Sequence, residues 1–300
     1  MSTVCDLVVS AENTCYMAWQ CMLFWHSCRT HLGRDPIFVV HGDAAPLAAG
    51  FAEIARHGGQ IQRAPNFRDS GSDRSPSYPP RNAIHSLALV RSDADCLALF
   101  DPDMLFLRPI DFDGLARQLA ADEITLDRVA YLQLERGFQE PIRSVCYATG
   151  IDLAAVAQQG LSGGVPHLVP NRLRQPLCRD WLSLTDRCRE ALVSAHGAES
   201  SAAWVAVMWG LVLAIHKQAL KARLTDFCIS NAGNPTLPDA PGTGPAMIHY
   251  CYCHASWSKR RFLGSADACD AVWNSTAPAG TVNGAICRQL ADAARAFGIG

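Results

Sequence analysis

The chain of 300 residues lacks an excess of charge of either sign, since 26 basic residues against 28 acidic ones leave a formal charge of −2. That balance supplies no basic footprint for DNA or for a polybasic membrane contact, so nucleic acid is not an expected partner. It also lacks an uninterrupted apolar run of roughly 18 residues, the length needed to cross a bilayer. The nearest stretch, Ala202 to Ile215, contains Trp204 and Trp209 and suits a buried helix, so no membrane span is expected. No secretory leader is expected from the first residues either: Val4 to Ser10 is short, carries Asp6 and has no basic flank, and it reads as a first strand. No glycine falls between Ser10 and Cys15, which removes the glycine-rich phosphate loop that often follows such a strand. The 13 cysteines lack an even count, and a chain this long needs no disulfide framework. Cys5, Cys15, Cys21, Cys28, Cys96 and Cys228 sit in apolar or helical patterns, where a free thiol behaves as a small hydrophobe. The close spacing Cys251-Tyr252-Cys253-His254 lacks a second ligand pair at zinc-finger distance, so a structural zinc site is not expected.

What is present is apolar. Hydrophobic residues make up 49% of the chain and charged ones 18%, enough apolar surface to offset the conformational entropy of folding. After the first strand comes a polar turn, Ala11 to Thr14, and then aromatic and apolar residues at helical spacing from Tyr16 to His31. Pro36 to Asp43 is a short apolar run ended by a glycine turn, the mark of a buried second strand, and Leu47 to His57 returns to helical spacing. Ala64 to Pro80 is a polar loop rich in Ser, Pro, Arg and Asp. A helix is expected over Asn82 to Arg91 and an apolar strand over Asp95 to Phe100. The second half offers a strand from Val129 to Leu134, helices from Leu173 to Val193 and from Ser201 to Leu220, and a last strand from Met247 to Tyr250. Alternating strands and helices imply a parallel sheet, and the absence of repeats or low-complexity linkers favours one composite domain.

The sharpest local feature is Asp101-Pro102-Asp103 at the end of a buried strand, because ligands of open α/β sheets bind beyond the carboxyl ends of the strands. Two carboxylates there are costly to bury unpaired, and a hard divalent cation, Mn²⁺ or Mg²⁺, carrying a nucleotide diphosphate would neutralise them. The plainer alternative is a turn capped by Asp101 with Asp103 in solvent. His249, at the end of the last strand, is able to return to the same sheet edge and complete a metal shell, or else to be a hydrogen-bonded structural histidine. Lys259, Arg260 and Arg261 offer positive charge to a diphosphate, or form an exposed basic turn.

The residues Val9 to Cys21, with Tyr16 and Trp19-Gln20, together with Asp101 to Pro109, resemble motifs of the plant and algal hydroxyproline O-arabinosyltransferases and the related peptidyl serine O-α-galactosyltransferases, in the family's order. Tyr78 with Arg81-Asn82-Ala83, Gly164-Val165-Pro166, Trp204-Val205, and Ile248-His249-Tyr250 with Arg261-Phe262 extend the resemblance from about Val4 to Phe262. The resemblance implies an α/β fold of the GT-A glycosyltransferase type, a Rossmann-like, mixed and mainly parallel sheet flanked by helices. It implies a nucleotide-sugar-binding half over 1–110, an acceptor-side half over 111–265 and a C-terminal helical tail over 266–300. Carried across residue by residue, Ser10, Glu12, Asn82, Asp101 and Arg261 face the nucleotide-sugar donor. Asp101, Asp103 and His249 hold Mn²⁺ or Mg²⁺, and Asp103 is a catalytic candidate; Glu199, not carried across from the family, is the other. Met104 stands where the family often has histidine, and Val207 where its helix carries a glutamate, which leaves Glu199 and Asp180 as acidic candidates.

The implied activity is metal-dependent transfer of a sugar from a nucleotide diphosphate, a UDP-sugar above all, to a hydroxyl of a peptide or small-molecule acceptor. A catalytically silent nucleotide-sugar-binding protein and a sugar nucleotidyltransferase are the alternatives, the latter disfavoured by the missing glycine loop. With no anchor and an alanine- and arginine-rich composition, the chain reads as a bacterial, cytoplasmic homologue; a Golgi-lumenal enzyme would require that an anchor had been removed.

Overall fold

The structure, a computed structural model, describes residues 4–71, 77–158, 162–238 and 243–299. Within the expected polar loop from Ala64 to Pro80, residues 72–76 lie outside the described ones. The chain begins β1 (Cys5–Glu12), α1 (Cys15–Leu32), β2 (Ile37–His41), α2 (Ala49–Arg56), β3 (Gln60–Ala64) and α3 (Arg81–Leu89). It continues with β4 (Cys96–Phe100), β5 (Met104–Phe106), α4 (Phe112–Arg117), β6 (Glu123–Asp127), a π-turn (Leu134–Phe138), α5 (Gln139–Thr149) and α6 (Leu153–Gln158). Then come β7 (Gly164–Pro170), α7 (Asn171–His196), α8 (Ser201–Trp204), α9 (Ala206–Lys217), β8 (Lys221–Thr225) and β9 (Cys228–Ser230). The last elements are β10 (Met247–His249), a 3₁₀ turn (Lys259–Phe262), α10 (Ala266–Asp270), a second 3₁₀ turn (Ala271–Asn274) and α11 (Val282–Phe297).

Seven strands form a sheet in the order β3-β2-β1-β4-β7-β6-β8, and β5, β10 and β9 form a second sheet. β2 and β3 run parallel, as do β6 and β8, whereas β7 is antiparallel to both β4 and β6. The expected mixed, mainly parallel sheet flanked by helices is therefore present. Two compact units divide the chain: the first comprises Met1–Val8, Asn66–Phe100 and Phe112–Asp226, the second Val9–Pro65, Asp101–Asp111 and Phe227–Gly300.

In the first unit α7 packs along α9, close enough that a Cβ on Gly210 would lie 2.2 Å from Thr185 Oγ1. Two expectations fail here for physical reasons. The strand expected at Val129–Leu134 lies earlier, at β6, whose apolar alternation is interrupted by buried polar members that have partners: Thr125 Oγ1 accepts from Leu168 N at 3.3 Å, and Asp127 Oδ1 accepts from Thr225 Oγ1 at 3.0 Å. The helix expected from Ser201 to Leu220 is broken at Val205 and ends at Lys217. The fully buried Tyr78 hydroxyl occupies the break, donating to the Trp204 carbonyl and accepting from Val207 N at 3.0 Å. The short strands β3 and β8 carry little apolar signal and were not anticipated.

In the second unit α1 is capped by Thr14, whose hydroxyl accepts from Met17 N at 3.2 Å, and it stops at Gly33 in the left-handed region at φ 62°, a conformation glycine adopts without a Cβ penalty. The helix buries Trp19, Leu23 and Phe24 against β5 and the residue after β10: Phe24 meets Phe106 edge-on at 5.6 Å and Trp19 stacks on Tyr250 at 6.2 Å. Ser27 supports the same strand, its hydroxyl accepting from Phe106 N at 3.2 Å. Among the described residues no helix is long and apolar enough to cross a membrane.

Candidate functional site

All the side chains that meet around Asp103 belong to the second unit. Asp101 and Asp103 follow the carboxyl end of β4, and Met104 turns the chain directly into β5. β10 pairs antiparallel with β5 in a register that sets His249 opposite Met104. Tyr250 N donates to the Asp103 carbonyl at 2.9 Å and closes this corner. Strand pairing alone thus brings together residues almost 150 positions apart.

One ligand atom from each of Asp101, Asp103 and His249 lies within 4.8 Å of the others. His249 Nε2 is 3.4 Å from Asp103 Oδ1 and 3.7 Å from Asp101 Oδ2. Lys259, from the 3₁₀ turn capped by the Ser258 hydroxyl, makes a close ion pair with the other Asp103 oxygen. The Asp103 side chain is only 8% exposed and that of Asp101 40%, so the proline-separated aspartates differ sharply in environment.

The charges explain each other. Burial penalises the Asp103 carboxylate, but Lys259 and His249 outweigh it and hold this group far below the usual carboxylate range. Asp101 moves the other way, raised by desolvation within the cluster and by the negative charge of Asp103. Burial opposes charge on His249, yet Asp103 and the hydrogen-bonded Cys251 thiol raise it well above its ordinary value. Lys259 is raised too, burial being overcome by Asp103 and by Tyr16. Two carboxylates therefore face two cations.

The other expected residues divide by unit. Ser10, buried, and Glu12, half-buried, lie two apart on β1 and so share one face of it. Arg261 is exposed and donates to the Ala255 carbonyl of its own loop. Asn82 belongs to the first unit, where its amide accepts from Phe67 N at 2.9 Å and donates to Asn66 Oδ1 at 3.0 Å. Glu199 is also in the first unit, exposed between α7 and α8 in the field of Arg189. Asp180 is engaged by Lys217 at 2.7 Å and by Gln218 at 2.6 Å. The structure brings together Asp101, Asp103 and His249. It singles out Lys259, which nothing local in the sequence separates from Arg260 and Arg261, as the partner of Asp103, and it sets the Cys251 thiol against His249.

The donor set of two carboxylates and an imidazole matches Mn²⁺ or Mg²⁺. The fit rests on position: His249 Nε2 faces an oxygen of each carboxylate, and the three ligand atoms are close enough to share one ion.

No protein-family model matches the sequence, and no curated protein matches it. Solved structures do. An active-site mutant of LgtC is similar over 91% of this chain and 98% of its own, with a TM-score of 0.55 at 16% identity. The galactosyltransferase LgtC in complex with donor and acceptor sugar analogues aligns over 88% of this chain and 93% of its own, with a TM-score of 0.49 at 15% identity. The bifunctional glycosyltransferase WbbM aligns over 97% of this chain and 52% of its own, with a TM-score of 0.48 at 13% identity. The first of these likenesses shows the fold, which is of the GT-A type.

Proposed function

We propose that this chain is a metal-dependent glycosyltransferase that moves a sugar from a nucleotide diphosphate, a UDP-sugar in the first instance, to a hydroxyl of a peptide or small-molecule acceptor. The observation that carries the reading is the convergence of Asp101, Asp103 and His249 beside Lys259 at the end of a sheet strand. The fold shared with LgtC agrees with it.

In this reading Asp101, Asp103 and His249 hold Mn²⁺ or Mg²⁺, which when bound supplies positive charge to stabilise a departing diphosphate. Asp103 is kept ionised by its cationic neighbours, so it is available as a ligand across the whole neutral range. His249 gives up its proton to become a ligand, and this makes loading pH-dependent. Lys259, which shares Asp103 with a cation bound there, would offer its ammonium to a diphosphate oxygen. Ser10 and Glu12 are proposed to meet the nucleotide, with Arg261 a further cation. Asn82 enters from the family resemblance as a donor-contacting candidate, and Glu199 enters only as an acidic candidate left by the departure at Val207.

The test is calorimetry of UDP with and without Mn²⁺, followed by hydrolysis of a panel of nucleotide-sugars. Binding of UDP that requires Mn²⁺, and metal-dependent hydrolysis of one donor, are expected. A folded protein that binds no nucleotide diphosphate with either metal refutes the transferase reading.

A further inference from the structure

Two thiols away from the metal cluster meet within the second unit. Cys15 is the first residue of α1 and Cys269 lies in α10; the two helices pack together, and Cys15 is the thiol that neighbours Cys269. Cys15 Sγ also faces the carbonyls of Gly264 at 3.7 Å and Ser265 at 3.8 Å, and Cys269 Sγ donates to the Phe262 carbonyl at 3.4 Å. Both thiols are thus gathered around one short stretch of backbone. That stretch begins at the turn carrying Lys259, and Phe262 of the turn lies edge-on to Trp19 of α1 at 6.3 Å. Their exposure differs usefully: Cys15 is half-buried, within reach of a small reagent, whereas Cys269 is 3% exposed. Cys146 and Cys188, the neighbouring thiols of the first unit, are both buried and offer no such entry.

We propose that Cys15 and Cys269 form a thiol–disulfide exchange site that takes a small disulfide such as oxidised glutathione and closes into a bridge strapping Phe262–Cys269 onto the first turn of α1. The Cys15 thiolate attacks one sulfur of oxidised glutathione, forming a mixed disulfide and releasing one glutathione thiolate. Cys269, having lost its proton, then attacks the Cys15 sulfur, forming the intramolecular bond and releasing the second glutathione. Two protein thiols are oxidised, one small disulfide is reduced, and the two protons end on the two released glutathiones. Burial and the neighbouring Cys15 push the Cys269 thiol up to about 12, which keeps it protonated and makes its attack the slow second step, so Cys15, the more exposed thiol, is loaded first. Closing the bridge brings the two sulfurs to bonding distance by adjusting the first turn of α1 and the short helix α10 that packs on it. The bridge does not depend on the transferase reading.

The experiment treats the full chain with oxidised glutathione, alkylates the remaining thiols, and maps peptides without reduction. A peptide linking Cys15 to Cys269 as the principal crosslink is expected, together with a rise in Tm of about 5 °C that dithiothreitol reverses. Cys269→Ser should stop at the mixed disulfide and gain one glutathione on Cys15. Folded wild-type protein that yields no Cys15–Cys269 peptide overturns the proposal, as does a principal crosslink between other cysteines. A Cys15–Cys269 bridge that leaves Tm unchanged overturns the strap. Because the crosslink map is read on the wild-type chain, the proposal stands or falls there even if the variant fails to fold.

Discussion

Replacing Asp103 by asparagine keeps the shape of the side chain and removes the one charge that both Lys259 and His249 face. At 3.4 Å and an effective dielectric near 20, the attraction between Asp103 and protonated His249 is about 5 kcal/mol before desolvation is set against it. Burial of Asp103 cancels much of this. Solvent reaching His249, 22% exposed, and Lys259, 16% exposed, screens more, which leaves a net loss of about 2 kcal/mol. In a chain of this size that is a fall in Tm of about 4 °C. The pH dependence sharpens the test. His249 is raised in the folded state, so its contribution is complete below its ordinary pKa of 6.5 and fades as pH rises through the folded value. Asp103 is lowered, so its contribution is complete above its ordinary 3.8 and is lost as pH falls through the folded value. The stability gap between wild type and Asp103→Asn is therefore widest between pH 3.8 and 6.5 and narrows above it. Binding should suffer more than folding. Loss of a ligand should exceed the roughly 10- to 100-fold that supporting residues cost a metal site, so affinity for Mn²⁺ in the presence of UDP should fall by more than about 100-fold. Chemical unfolding at several pH values and calorimetry read the two effects. A variant with wild-type Mn²⁺ affinity, or a stability gap that does not change with pH, refutes this account of the site.

Further outcomes follow from single contacts. Lys259→Met should weaken UDP about tenfold while leaving uridine unchanged, and an equal loss for both would assign Lys259 to the fold rather than to the diphosphate. Tyr78→Phe leaves the Trp204 carbonyl and Val207 N–H without their shared partner and should cost about 1–3 kcal/mol by urea unfolding; no change would show that the break at Val205 does not need the hydroxyl. His167, buried against Trp181 with its pKa lowered by burial to about 4, is held neutral, so wild type should lose up to about 3 kcal/mol as pH falls from 6.5 to 4. His167→Gln should lack that component, and parallel pH profiles of the two proteins would contradict it. Gly210→Ala would place a methyl 2.7 Å from the Thr185 backbone and should cost about 2–3 kcal/mol; an unchanged Tm would mean that α7 and α9 separate freely.

Where the sequence was legible, one local rule governed the outcome. Thr14 and Gly33 bound a helix read as Tyr16 to His31 and found at Cys15–Leu32, because caps and apolar spacing are local properties. β2 and β4 are buried apolar runs and were anticipated within a few residues. Failures came where distant partners supplied what the local pattern lacked. β6 hides Thr125 and Asp127 among apolar residues because β7 and β8 satisfy them. The apolar run after Ser201 reads as one helix because Tyr78, more than a hundred residues earlier, is what meets its broken backbone groups.

The candidate site divides in the same way. By itself the sequence determined that Asp101 and Asp103 end a buried strand and that His249 ends another, since strand ends and carboxylate spacing are written in neighbouring residues. Only the tertiary structure decided that the antiparallel register of β5 and β10 puts His249 beside Asp103, that Lys259 rather than Arg261 answers the buried carboxylate, and that Cys15 and Cys269 gather on one stretch of backbone. Register and long-range contact are set by the packing of whole faces, and no single stretch of sequence contains them.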